Sequence, residues 1–200
     1  MLMQLFSMAI DVISSLVVVF PILIILYFTW LKSLSLKKKI LLFVFICYII
    51  AVFSVVGIPS ITGLTLDFYV NLVPFADMIA GLTETLLNVV LFIPMGFMLP
   101  LLWKCFCSLK KTVLFGFLVS AGIEILQIFT FRTTDINDLI TNTAGTLLGY
   151  LLVIKICKKL FCDEDANARK EIICAFSLVF LTMFFVTSLI SGVLWNIVLL

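Results

Sequence analysis

One stretch of this chain, EILQIFTFRTTDINDLITNTAGTLLGY from Glu124 to Tyr150, gathers a glutamate, a glutamine, an arginine, two aspartates and two asparagines. These residue types could do chemistry. Paired carboxylates such as Glu124 and Asp138 allow general acid–base work. Arg132 could hold an anionic group. Asn88, Gln127, Asp135 and Asn142 add hydrogen-bonding groups for a ligand. Oxygen ligands alone leave Ca²⁺ or Mg²⁺ open. The chain has no histidine, which excludes zinc or iron sites that rely on His and any Ser–His triad. No metal site is assigned, and the cofactor is unknown. Asp-x-x-Asp alone is too common a spacing to identify a reaction.

The elements that must position these residues are expected to be membrane helices. The chain is 64% hydrophobic and 12% charged, about half the charge of an ordinary soluble domain. A bilayer core needs roughly 20 apolar residues per helix, and the spans must satisfy their own backbone. The expectation is an all-α, polytopic bundle of six transmembrane helices: Val12–Leu31, Ile40–Gly57, Thr85–Trp103, Thr112–Phe131, Leu139–Ile156 and Ile172–Gly192. The first lacks a basic start and a cleavage site, so it does not read as a signal peptide. Of thirteen basic residues, only Arg132 falls outside the three loops on one side. The positive-inside rule makes that side the cytoplasm and places both termini outside. A net charge of +2 gives no reason to expect a nucleic-acid partner.

Within this frame the polar residues converge. Glu124 lies about 10 Å below the outer end of the fourth span and shares a face with Gln127, with Ser120 and Ala121 extending it inward. A buried acid there needs a partner, a proton, a cation or a water-filled cavity. Asp138 and Asn142 share a face of the fifth span, which Gly145 and Gly149 continue, permitting close helix approach. Asp135 or Asp138 could cap that helix. Asn88 lies near the same boundary of the third span. Pro94 should kink that span, and Gly96 admits a neighbour. These groups suggest a site open to the outer leaflet. The competing reading is a buried network that only fixes helix registry.

The remaining features are plainer. The loop from Ile58 to Glu84 is apolar enough to lie in the interface or pack on the outer surface, with Pro74 stopping any helix. Cys105, Cys107, Cys157 and Cys162 fall on the expected cytoplasmic side, where thiols stay reduced. Their spacing is poor for zinc, and acylation is a weak alternative. Cys162–Glu171 reads as a solvated linker. The last span has no charge and reads as a packing helix. The expected organisation is residues 1–39, an N-terminal helix and basic loop; 40–156, a core with the polar site; and 157–200, a linker and C-terminal helix.

The pieces NLVPF (Asn71–Phe75), NVVLFIPMGF (Asn88–Phe97) and the Glu124–Tyr150 stretch, in that order, resemble the VanZ-like family over about Ile40 to Ile156. The resemblance implies a multi-pass protein of the bacterial cell membrane, mostly of Gram-positive organisms. The family's founding member is linked to resistance to teicoplanin, a lipoglycopeptide that binds cell-wall precursors at the outer membrane face. Asn71, Pro74, Pro94, Gly96, Gly145 and Gly149 are expected to be structural positions. Three functions compete. The first is an accessory protein engaging membrane lipids, a lipid-linked precursor or the drug. The second is an intramembrane enzyme with Glu124 and Asp138 as acid and base. The third is a lipid transporter, which the scarcity of polar residues in the inner half disfavours.

Overall fold

The computed structural model describes residues 2–28, 34–66, 69–75, 78, 81–130, 132–160, 167–187 and 189–193. Among the described residues the regular secondary structure is helical apart from one pair of two-residue strands. In chain order the elements are α1 (Leu2–Phe28), α2 (Leu36–Val56), β1 (Val70–Asn71), α3 (Leu82–Leu102), α4 (Leu109–Gln127), β2 (Thr134–Asp135), α5 (Ile136–Leu160) and α6 (Ala168–Thr182). A 3-10 turn, Lys104–Cys107, joins α3 to α4, and a π-helical stretch, Met183–Thr187, continues α6.

Six spans were expected. Among the described residues three helices are long and apolar enough to cross a membrane: Leu36–Val56, Leu82–Leu102 and Ala168–Val193. A shorter apolar helix covers Ala9–Ile25. The protein is therefore a multi-pass membrane protein, but composition does not support all six spans. The shortfall has a physical cause in α4 and α5. Lys110, Lys111 and Glu124 lie in α4, and α5 carries Asp138, Asn142 and several threonines. The polar side chains of these helices are buried against neighbours: Thr112, Ser120, Glu124 and Gln127 from α4, and Asn137, Thr141, Asn142 and Thr146 from α5. Large apolar side chains such as Leu118, Ile125, Leu151 and Leu152 face outward instead.

The chain divides into two compact units, residues 1–64 with 169–200, and residues 65–168. In the first, Ser35 caps α2 by accepting from the Lys38 N–H at 3.4 Å, and Gly57 ends it in the left-handed conformation. Glu171, expected in a solvated linker, is only 4% exposed and pairs with Lys38 at 3.0 Å. Ser15 and Thr187 share a buried hydroxyl–hydroxyl bond of 2.8 Å.

The second unit is organised around the packing of α3 against α5. Gly145 and Gly149 lie one turn apart on α5, and Gly96 answers them from α3. A Cβ on Gly145 would overlap the Val89 carbonyl, one on Gly149 the Ile93 carbonyl, and one on Gly96 the Thr146 carbonyl. Only glycine lets the two backbones come this close. α4 packs on α5 in the same way, where Gly116 meets the Thr146 side chain. At the far end Tyr150 donates to the Cys107 carbonyl at 2.7 Å, fixing α5 to the α3–α4 turn. Cys47 and Cys174 are free thiols.

The α3–α5 contact predicts a sharp contrast between glycines. Gly149→Ala should destabilise the protein by about 1–3 kcal/mol, because the added methyl meets backbone that cannot swing aside. Gly122→Ala, where a Cβ meets nothing within 4 Å, should be neutral or stabilising. Thermal melts of the two purified variants in detergent check this. Equal melting temperatures would contradict the close contact.

Candidate functional site

The polar residues meet at the end of the second unit where α3 begins, α4 ends and α5 begins. The start of α5 is built from side-chain caps. Asp135 precedes the helix, and its Oδ1 accepts from the Asn137 N–H at 2.8 Å. This is the N-cap role expected for a short carboxylate at the positive end of a helix. Its other oxygen, Oδ2, accepts from the Asn71 amide at 3.2 Å. Both oxygens of Asp135 thus hold the frame.

β1 and β2 pair in parallel, Val70 opposite Thr134 and Asn71 opposite Asp135. This brings the loop after residue 65 onto the α4–α5 connection. Two backbone bonds extend the pairing: Thr65 N–H to the Phe129 carbonyl at 3.1 Å, and Thr134 N–H to the Tyr69 carbonyl at 2.9 Å. Asn71 Oδ1 also accepts from the Val73 N–H at 3.2 Å, folding the NLVPF segment back on itself. Pro74 sits in the turn that follows. Phe75 adopts φ 63°, a left-handed conformation unusual for a bulky residue. It is held there by a 2.7 Å bond from its N–H to Asn137 Oδ1.

Glu124 lies behind this frame with 7% of its surface exposed. Its Oε2 accepts from the Asp135 N–H at 2.9 Å. Its backbone carbonyl accepts from the Thr134 hydroxyl at 3.0 Å. The last turn of α4 is thereby tied to the strand that leads into α5. Gln127, at the end of α4, is also buried. Arg132 is exposed on the connecting loop. Asp138, in the first turn of α5, accepts from the Asn88 amide of α3 at 2.6 Å. Burial pushes the Asp138 carboxyl above its ordinary pKa, and the Asp135 charge adds to the push. The positive charge of Arg132 and the Asn88 hydrogen bond act the other way. Asp138 precedes the expected fifth span, which starts at Leu139.

Asn142 lies one turn deeper, about 6 Å along the helix. Its amide donates to Ser120 Oγ at 2.9 Å, so it joins α5 to α4 rather than to the carboxylates. Its Oδ1 is buried and takes no hydrogen bond among the described residues. Pro94, Gly96, Gly145 and Gly149 lie in or near the α3–α5 seam and support the corner without entering it. Among the described residues, no group of three or more Asp, Glu, His or Cys side chains is placed to hold a metal ion. The arrangement offers two carboxylates, one exposed guanidinium and several amides, which suits a ligand with hydrogen-bond donors and an anionic part.

Two participants are not conspicuous in the sequence. Asn137, buried at 6% exposed, anchors the loop, and Thr134 anchors α4. Asn137 lies between two aspartates, where it reads as a spacer. A backbone partner 62 residues away leaves no periodic trace.

The fold defines a class, a multi-pass helical membrane protein, here with a cluster of polar side chains where three helices meet. The chain belongs to the VanZ/LLP1 family, whose model matches residues 45–158, over half of its length. It is similar to Protein VanZ of Enterococcus faecium, with 41% identity over 83 residues, 41% of this chain and 50% of that protein. The chain thus spans about half the length of the curated relative it matches. No solved structure matches it.

The anchoring role of Asn137 is open to a direct check. Asn137→Ala removes the acceptor of the Phe75 N–H, a bond of the kind worth about 1 kcal/mol. Amide exchange at Phe75 should quicken roughly fivefold, with little change in α3. Unchanged exchange would show that the loop is held by other contacts.

Proposed function

We propose that the corner formed by Glu124, Asp138, Arg132 and the amides around them engages the head group of a cell-envelope lipid, a lipid-linked wall precursor or the drug itself. By this engagement the protein contributes to resistance to glycopeptides of the teicoplanin type. The observation that carries the reading is the division of labour among the acids. Asp135 spends both oxygens on the frame. Asp138, half-buried in a setting that disfavours its charge, accepts from the Asn88 amide and takes no part in the frame that Asp135 holds. A carboxylate kept in such a place at a cost suits a ligand that offers N–H or O–H donors. Arg132 is placed to meet an anionic group such as phosphate.

The membership in the VanZ/LLP1 family supports this direction, and the apolar surface of the neighbouring loop fits a site at a lipid interface. Leu66, Tyr69, Leu72 and Phe75 are all exposed there. Such side chains are stable in an interfacial layer and costly in water.

The reading is tested by teicoplanin susceptibility of a sensitive Gram-positive host expressing the wild type, Glu124→Gln, Arg132→Ala or Asp138→Asn, with membrane levels measured in parallel. Asp138→Asn removes a carboxylate that burial already disfavours, so it should fold as well as the wild type. All three variants should accumulate normally and lose protection. Variants that accumulate and still protect would make the corner a packing network. A wild type that gives no protection would show that resistance is not the role of this chain.

A further inference from the structure

The first unit holds a cavity of about 220 Å³ that the polar corner does not explain. Its wall includes Asp11 of α1, Ser54 and Gly57 at the end of α2, Ser60 of the following loop, and Thr187 and Ser191 beyond α6. The last helix was expected only to pack, and the first only to span the membrane. Here they bring one carboxylate and four hydroxyls together.

The site is built rather than left over. The α6 helix widens to a π-helical stretch at Met183–Thr187, a form common where a helix must present side chains to a site. Thr187 is fixed by its bond to Ser15. The loop after α2 is pinned to that stretch by the Ile61 N–H, which donates to the Phe184 carbonyl at 2.9 Å. Ser191 donates to the Asp11 carboxylate. Ser54 Oγ is buried and takes no hydrogen bond among the described residues.

The chemistry of the wall narrows the occupant. Among the described lining residues Asp11 carries the only charge, and no lysine or arginine is present. Lys38, paired with Glu171, lies 16 residues before Ser54 on α2, about 24 Å away at the helical rise. An acid in an apolar helix calls for a positive partner. The volume is several times that of a bare ion and equals roughly seven waters. A quaternary ammonium is ordinarily held by an aromatic cage, whereas Phe53 is the one aromatic among the described lining residues. A carboxylate ringed by hydroxyl acceptors matches N–H donors.

We propose that this cavity binds a primary ammonium group. The cavity lies at the end of α2 remote from the lysines, which the charge distribution assigns to the outer face. An amine there could come from a lipid head group or from a soluble molecule.

The test uses the purified 200-residue chain in phosphatidylcholine nanodiscs. Free ethanolamine is titrated calorimetrically. In parallel, phosphatidylethanolamine is exchanged into the discs, and the lipid retained by the protein is counted by mass spectrometry. At least one amine source should bind in preference to its choline counterpart, and the pattern identifies the source. Asp11→Asn should weaken that binding tenfold or more, and Ser54→Ala threefold or more. Gly122→Ala, in the other unit, should leave it unchanged. Should Asp11→Asn fail to fold, Ser54→Ala carries the test, because its hydroxyl makes no hydrogen bond among the described residues. Absence of amine binding by the wild type, equal binding of the choline forms, or wild-type affinity in Ser54→Ala would overturn the proposal.

Discussion

The polar corner depends on how closely the backbones of α3 and α5 approach. Where Gly96, Gly145 and Gly149 meet the facing carbonyls there is no room for a Cβ. That proximity sets the separation at which Asn88 reaches Asp138. It also leaves space on the other side of α5 for α4, whose Gly116 and Ser120 fit against Thr146 and Asn142. In a membrane, helices gain little from burying apolar surface against one another, so close packing and interhelical hydrogen bonds must hold them. The seam supplies the first and the amides supply the second.

The same logic explains why structural and chemical roles are interleaved along so short a stretch. A loop that crosses the end of a helix bundle must satisfy its backbone groups. Here β1 and β2 satisfy some through parallel pairing, and Asn71, Glu124, Asp135 and Asn137 satisfy others through their side chains. The Phe75 conformation is sustained by this network, since a left-handed bulky residue needs its surroundings to hold it. Polar groups that fix the frame thus surround those proposed to meet a ligand.

Much of this was legible in the sequence because it follows helical spacing. Glycines four apart at 145 and 149 announce a close contact, and Asp138 with Asn142 shows which face of α5 is polar. Asp135 as a helix cap could be read from its place before an apolar run. The pairing of residues 70–71 with 134–135 could not, because two-residue strands have no periodicity and their partners are 64 residues apart. The number of apolar spans was overcounted because the charged and polar residues of α4 and α5 were taken into spans, and because the apolar part of α1 among the described residues is only Ala9–Ile25. The cavity at Asp11 was missed for a different reason. It is assembled from single hydroxyls on helices distant in the chain, and each looks unremarkable alone.

The account rests most heavily on the corner being a binding site rather than a fastening. The most direct measurement is the affinity of the purified chain in nanodiscs for a lipid-linked cell-wall precursor, comparing wild type with Asp138→Asn, alongside melting temperatures. The account predicts at least tenfold weaker binding in the variant with its melting temperature unchanged. Equal affinity in the two proteins, or no binding by either, would contradict it.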